Sequence, residues 1–445
     1  MVWPALYNRY PLLFPDSVTY LDDGPPVARA IFLHQFSEYY GMRSFIYGLG
    51  ILPLHWNITP WPVVVFQALL AAYVLWLVVR SLLPRRTVAW YLVLCALLSF
   101  LTSLSWFVSL VMPDVLGPLL YLCVFLLVFA RKALSWRERL AVALIAWWAI
   151  TAHASHLLIL VGLAVLLVLL ALLRRPFMHR PWRGLAEVGV ILVLAAAAQV
   201  ALHAYLFDEP SLNGERPPYL MARIIADGPG RWYLEQHCPQ VNFALCAYVN
   251  HLSDDADEFL WGPGGVIQNA DDDTQTRLRQ EEMPFALATL RAYPRAMLFK
   301  TADNFWEQLT SFDLWYMDPN EWMSDALVHS LKGGRASFLR SRQARNDLPT
   351  ELFAVVAHWT VIVSIVVIAA FLPLLWRGRH LLLTGLSVVT ISTVIGNAFV
   401  TGTLSMVEDR YQCRVVWLLP LLALLLLLSW GSRWLKSPVS LAHTL

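Results

Sequence analysis

The chain has 445 residues, of which 58% are hydrophobic and only 14% charged, against roughly 25% charged residues in soluble domains; its mean hydropathy is +0.55. That composition excludes an ordinary soluble enzyme, and the 20 Trp residues suit membrane interfaces, where amphipathic rings settle. A net charge of +2, from 33 basic and 31 acidic residues, supplies no global basic field for nucleic acid, and five cysteines without a CxxC pair exclude a dense disulfide framework or a zinc site.

The predicted fold class is all-α, a polytopic membrane protein. Residues 1–60 read as an external N-terminal loop carrying an acidic motif and interfacial helices. Crossing about 30 Å of hydrocarbon takes roughly 20 helical residues. Apolar runs of that kind predict nine spans, near 61–83, 88–112, 115–131, 139–153, 156–173, 184–206, 351–376, 380–401 and 414–431. They group as a transmembrane bundle at 61–206 and a C-terminal bundle at 351–445, either side of one large external loop domain at 207–350. Only His153-Ala154-Ser155-His156 separates 139–153 from 156–173, so that pair reads as two spans or as one broken helix.

Basic residues are retained on the cytoplasmic side. Arg80, Arg85 and Arg86; Arg131, Lys132, Arg137 and Arg139; Arg174, Arg175, Arg180 and Arg183; Arg377 and Arg379; and Arg433 with Lys436 mark every second connection. The intervening loops are then external: the Asp16 segment, the Met112-Pro113-Asp114 corner, the His153–His156 turn, residues 207–350 and Glu408-Asp409-Arg410. This parity puts Met1 outside with no hydrophobic segment before Pro11; either the short N-terminus crosses with the first span or, as we expect, a helix precedes residue 1. Residues 207–350 hold 21 acidic and 13 basic residues, a net charge of about −8. Cys238 and Cys246 in this loop face an oxidising compartment and either pair or remain two buried thiols. From Pro284 to Phe312, aromatic and aliphatic residues interleave with Arg291, Arg295 and Lys300, which suits a helix lying against the membrane surface. Asp254, Asp255, Asp257 and Glu258, like Asp271, Asp272 and Asp273, lack EF-hand spacing and read as solvated charges.

Ionisable residues at membrane depth are costly and by default face a cavity or a partner; here they collect on the external side. Asp16 lies in an aromatic run from Tyr10 to Tyr20, and Asp114 follows Pro113 at the start of a span. His153 and His156 share one turn, and Glu408, Arg410 and Arg414 stand at the mouth of the last span. Two carboxylates facing one external cavity, with an arginine at its rim, suit displacement of a phosphate leaving group. One carboxylate takes a proton from an acceptor hydroxyl or amine, and a guanidinium fork neutralises phosphate charge. A lipid-linked sugar phosphate fits, its isoprenoid tail lying between spans. Plainer readings stand beside these. Asp16 suits a turn or cap, Asp114 a cap for a helix beginning at Val115, and the histidines suit backbone groups at a helix break. Glu408 and Arg410 suit an interfacial ion pair, and Asp22 and Asp23 before Gly24-Pro25-Pro26 a solvated turn.

At these residues the sequence resembles the type C (GT-C) superfamily of integral-membrane glycosyltransferases, with a likeness to bacterial members that modify lipid A or lipopolysaccharide cores. Asp16-Ser17-Val18-Thr19-Tyr20 resembles the family's first external-loop acidic motif, Asp114 an acidic residue beginning a later span, and Glu408-Asp409-Arg410-Tyr411 with Pro420 its C-terminal segment. The resemblance implies a bacterial inner-membrane glycosyltransferase with a GT-C-like helical bundle and a periplasmic active site. It would move a sugar from a polyprenyl-phosphate donor to a periplasmic glycan, lipid or protein acceptor, with inversion. It implies Asp16 as catalytic base, Asp114 as supporting acid and Arg410 as phosphate contact. Tyr20, His153, His156, Glu408 and Arg414 complete the candidate substrate contacts. The residues single out no definite cofactor, and an aspartate-bound divalent cation, magnesium or manganese, could assist the leaving group. The same residues admit a polysaccharide polymerase or O-antigen-ligase-type enzyme, in which histidines and arginines handle lipid diphosphate. A lipid-linked-sugar transporter or flippase would instead show polar positions within spans, of which Glu187, Gln199 and Asn397 are the nearest.

Overall fold

A computed structural model describes residues 1–37, 43–84, 87–175, 177–178, 181–212, 214, 216–314, 317, 325–327, 330–376 and 380–434. Arg85, Arg86, Arg180, Arg377, Arg379 and Lys436 lie outside the described residues. Among those described, regular structure is helical, and Leu12 with Leu110 forms an isolated β-type bridge. In chain order the helices are α1 (Trp3–Asn8), α2 (Pro15–Leu33), α3 (Phe45–His55), α4 (Trp61–Leu82), α5 (Thr87–Leu101), α6 (Leu104–Ser109), α7 (Leu116–Val128), α8 (Trp136–Ala152), α9 (Ala154–Leu172) and α10 (Trp182–Phe207). There follow α11 (Tyr219–Ala226), α12 (Pro229–His237), α13 (Ala256–Trp261), α14 (Val266–Asn269), α15 (Asp272–Ala292) and α16 (Pro294–Thr310). The last five are α17 (Gly334–Leu339), α18 (Thr350–Trp376), α19 (Leu381–Leu404), α20 (Asp409–Val416) and α21 (Leu418–Trp434).

Among the described residues six helical stretches are long and apolar enough to cross a membrane: α4, α9, α10, α18, α19 and the run from Asp409 to Trp430 through α20 and α21. That makes the chain a membrane protein and falls three short of the nine expected spans. The runs at 88–112, 115–131 and 139–153 carry helices of only 15, 13 and 17 residues in α5, α7 and α8. The first is shortened because its helix breaks at Thr102 and Ser103 and ends again after Ser109. Non-helical backbone at such depth survives only where protein satisfies it. Gln67, fully buried within α4, donates to the carbonyls of Val108 and Leu110 at 3.1 and 2.8 Å, and Leu12 exchanges backbone hydrogen bonds with Ser109 and Val111. The apolar count of 88–112 contains no trace of these distant partners.

The chain divides into two units. The first comprises Met1–Leu212, Asp313–Val394 and Cys413–Leu445. At its centre is α7, whose 13 residues are all buried, as expected of a helix apolar on every side; α4, α8, α9 and α10 pack around it. One end of this bundle is basic. Arg80, closing α4, forks onto Glu138 of α8 at 2.7 and 2.9 Å, and Arg131, just past α7, holds Glu187 of α10 at 2.6 Å. These pairs bring two helix ends and two helix starts together, so α4 and α7 run against α8 and α10. The chain from Ala154 to Trp182 must then return to that end, and α8 with α9 is a hairpin, not one broken helix. Its turn is a single extended residue, His153, at φ −156° and ψ 132°.

At the other end, α2 starts where Ser17 Oγ accepts the Phe14 N–H at 2.9 Å and Pro15 supplies a preset first position. The helix lies directly on α3: a Cβ added at Gly24 would meet the Gly48 carbonyl oxygen at 2.8 Å, so only glycine permits the approach. Ser44 caps α3 through the Tyr47 N–H and donates to the Thr151 carbonyl near the end of α8. Gln343 ties residues 313–350 to the N-terminal segment, donating to the carbonyls of Leu13 and Met317.

The second unit comprises Asn213–Phe312 and Ile395–Gln412. Its core gathers Met221, Ile225, Leu234, Leu245, Phe259 and Phe285. Cys238 and Cys246 form a disulfide with Cα atoms 5.6 Å apart, which resolves the two alternatives left by the sequence. The acidic runs act as caps: Asp255 accepts from the Asp257 N–H before α13 and Asp271 from the Thr274 N–H before α15. Hydrogen bonds from the Thr274 hydroxyl and N–H hold the Asp271 carboxyl below its ordinary pKa.

Candidate functional site

Four of the residues singled out by sequence meet in the first unit. Arg414, in α20, places Nη1 3.4 Å from Asp114 Oδ1 and donates through Nη2 to Ser155 Oγ at 2.9 Å. Both charged side chains are sealed, at 0% and 1% exposure. Ser155 Oγ is 2.8 Å from His153 Nδ1, and the His153 and His156 rings stand 5.3 Å apart. Each participant owes its place to a local irregularity. Pro113 starts a short 3₁₀ turn that leads Asp114 into α7, His153 turns α8 into α9, and α20 carries Arg414 in its last turn.

A buried ion pair costs several kcal/mol per ion to desolvate and persists only with good partners. Asp114 gives Arg414 its counter-charge, and Ser155 supplies a neutral acceptor. The histidines also carry the backbone role that the sequence left open. His153 Nδ1 accepts from the Ser155 N–H at 3.2 Å, capping α9, while His156 Nδ1 donates to the Ala149 carbonyl at 2.7 Å. Two polar atoms here lack a partner among the described residues: His156 Nε2 and the Tyr121 hydroxyl, both fully buried, with Tyr121 in the field of Arg414. Gly117 leaves room for that imidazole, since a Cβ there would lie 2.7 Å from Nε2. Buried polar atoms ordinarily find partners, so these two stand out among the buried groups of the unit.

Asp16 occupies the first turn of α2, with its side chain 13% exposed and a carboxylate oxygen 2.5 Å from Arg43 Nη2. Tyr20 is one turn further along the same face. Its ring meets Tyr47 edge-on at 4.9 Å, and Tyr47, which donates to Gln67 at 2.9 Å, lies in the field of Asp114. Arg43 directly precedes Ser44, whose hydroxyl bonds Thr151 two residues before His153. Asp16 and the Asp114–Arg414 group therefore share one end of the bundle, linked through Tyr20, Tyr47 and the start of α3. Neither Asp16 nor Asp114 points into bulk solvent. The sequence reading missed Arg43 and Ser155; the first stands alone in an uncharged stretch, and the second sits in plain view between the two histidines.

Glu408 and Arg410 belong to the second unit. The Glu408 backbone exchanges two hydrogen bonds with the Gln308 side chain, at 3.0 and 2.8 Å. Burial raises the Glu408 carboxyl above its ordinary pKa against the opposing pull of Arg410. The Arg410 guanidinium lies over the Tyr411 ring at 5.1 Å. Among the described residues no three His, Cys, Asp or Glu side chains gather to hold a metal ion, so a divalent cation has no evident ligand set there. No protein-family model, curated protein or solved structure matches the chain.

Proposed function

We propose that the chain is a membrane glycosyltransferase that moves one sugar from a polyprenyl-phosphate donor to an acceptor outside the cytoplasm, in a bacterial inner membrane with the active site on the periplasmic side. Asp16 takes the proton from the acceptor hydroxyl or amine, and the acceptor oxygen or nitrogen attacks the anomeric carbon. The bond from that carbon to the phosphate oxygen breaks, and polyprenyl phosphate departs. Single displacement inverts the anomeric centre. Arg410 is the phosphate contact by resemblance, and in the first unit Asp114 supplies the counter-charge of Arg414. The observation that carries the reading is the gathering at one bundle end of a half-hidden carboxylate, Asp16, with the sealed Asp114–Arg414 pair and the buried Ser155. The orphaned His156 Nε2 and Tyr121 hydroxyl add to it.

The link from His153 through Ser155 to Arg414 favours one second reading, a polymerase or ligase acting on a lipid diphosphate. Envelope glycans and lipids of a deletion strain, complemented with wild type, Asp16→Asn or His153→Ala, separate the two. The transferase reading expects the missing product to return with wild type and His153→Ala and to stay absent with Asp16→Asn, a rate loss of about 10²–10⁴ if a general base is removed. The reverse pattern assigns the ligase. An unchanged glycan and lipid profile in the deletion strain, alongside sugar-lipid transport in liposomes, would remove both in favour of a flippase.

A further inference from the structure

The second unit exposes an apolar stripe along α15 and α16, and the arrangement of α16 is inside-out. Its most buried residues are polar: Asn304 donates to both Asp227 carboxylate oxygens at 2.9 and 3.2 Å and accepts from Arg223 at 2.6 Å, while Gln308 bonds the Glu408 backbone. Its largest apolar residues point away. Leu298, Phe299 and Trp306 are 68%, 68% and 65% exposed. At 3.6 residues per turn the helix has three faces. Met297, Asn304, Phe305 and Gln308 meet protein; Leu298, Phe299, Ala302 and Trp306 form an apolar side; and Lys300, Asp303 and Glu307 form a polar one. Met283, Leu287 and Leu290 extend the apolar side along α15, all well exposed. A soluble helix buries its apolar side and wets its polar one, so this pattern suits an environment in which the apolar side is not wet.

Two further observations name that environment. The last turns of α19, Ile395–Leu404, belong to the same unit, and Phe305 of α16 touches Phe399 there with ring centroids 6.3 Å apart. Because α19 is long and apolar enough to cross a membrane, α16 lies where a span ends, and Phe399 of α19 is exposed there as Phe299 is on α16. The cations tell the same story. Residues 213–312 hold 14 acidic and 8 basic residues, and Arg216, Arg223 and Arg277 pair with carboxylates. Arg291 and Arg295, along the stripe, and Lys300, on the polar face beside it, are exposed and make no ion pair or hydrogen bond among the described residues. Long basic side chains at such a border reach from an apolar bed to headgroup phosphates.

We infer that the α15–α16 stripe is a lipid-docking face: it lies in the headgroup and upper acyl region of the bilayer, with phospholipid as its occupant and Arg291, Arg295 and Lys300 on the phosphates. The inference rests on α19 being a membrane span and not on sugar transfer, so loss of the transferase reading leaves it standing. The full chain is reconstituted in phosphatidylethanolamine–phosphatidylglycerol vesicles with the photo-crosslinker benzoylphenylalanine at position 299, 303, 306 or 307, and adducts are read by mass. Positions 299 and 306 are expected to give phospholipid adducts several-fold above positions 303 and 307. Equal yields at all four positions, or adducts at 299 and 306 formed chiefly with a second protein chain, overturn the inference. In a second arm, Arg291→Gln, Arg295→Gln and Lys300→Gln together lower the phosphatidylglycerol adducts and leave those formed in phosphatidylcholine vesicles unchanged; no change in either lipid removes the headgroup part of the claim.

Discussion

At the basic end of the first unit, Arg80 forks onto Glu138 through two short bonds and Arg131 holds Glu187 at 2.6 Å, all four side chains partly exposed. At the other end Arg414 meets Asp114 at a longer 3.4 Å with both side chains closed off from solvent. The better-looking bonds carry less. Water competes with the exposed pairs, which contribute roughly 0.2–1 kcal/mol each, whereas loss of one partner from the sealed pair strands an ion. The two ends thus use the same chemistry for different purposes. The exposed pairs fix helix ends on the side where basic residues gather, and the sealed pair balances two charges that solvent does not reach.

The sharpest way to break this comparison is Arg414→Ala, which should cost about 3–5 kcal/mol because Asp114 is left buried and uncompensated. Thermal unfolding in detergent measures it, and Asp114→Asn with Arg414→Met should recover much of the loss. A cost no larger than at the exposed end would make the two ends equivalent. Next in size is Cys238→Ser, expected to lower the stability of the second unit by about 2–4 kcal/mol; limited proteolysis with and without reductant reads it, and wild type under reductant should match the variant. Arg80→Ala is expected to stay under about 1 kcal/mol and to shrink further in high salt.

The smallest effect concerns pH. Burial raises the Glu408 carboxyl in the folded chain, so the folded state holds its proton over a range where the unfolded state has released it. Stability attributable to this group therefore falls as pH rises from the ordinary glutamate value through the raised one. Glu408→Gln should flatten that stretch of a melting-temperature profile and leave the rest unaltered. A variant profile parallel to wild type would place the dependence elsewhere.

Much of the helical layout was legible because it is written locally. The Ser135-x-x-Glu138 capping box that begins α8, with Ser135 Oγ and Glu138 Oε2 exchanging bonds with each other's N–H groups, is a local signal that the sequence reading passed over, and the His153–His156 stretch does separate two helices. What stayed hidden depends on partners far away in the chain. The break in 88–112 is held by Gln67 and Leu12, and the carboxylate of Asp16 is held by Arg43; neither leaves a periodicity to read. Asp114 and Arg414 were each visible as costly ions near a membrane surface, but their pairing across 300 residues was not. The interfacial reading of Pro284–Phe312 rested on composition alone, while the inversion of α16, with Asn304 inside and Trp306 outside, needed coordinates.

The bare contact of Gly24 with Gly48 has a mechanical consequence. Asp16 stands on one arm of the α2–α3 hairpin and Arg43 at the root of the other, so the thickness of a hydrogen atom sets the gap that their ion pair bridges. A single methyl at residue 24 would meet the Gly48 carbonyl oxygen at 2.8 Å and act as a shim, prising the arms apart and shifting a carboxylate eight residues away without altering its chemistry. Evolution, or an engineer, could thereby tune the reach of Asp16 from a site that never meets a ligand.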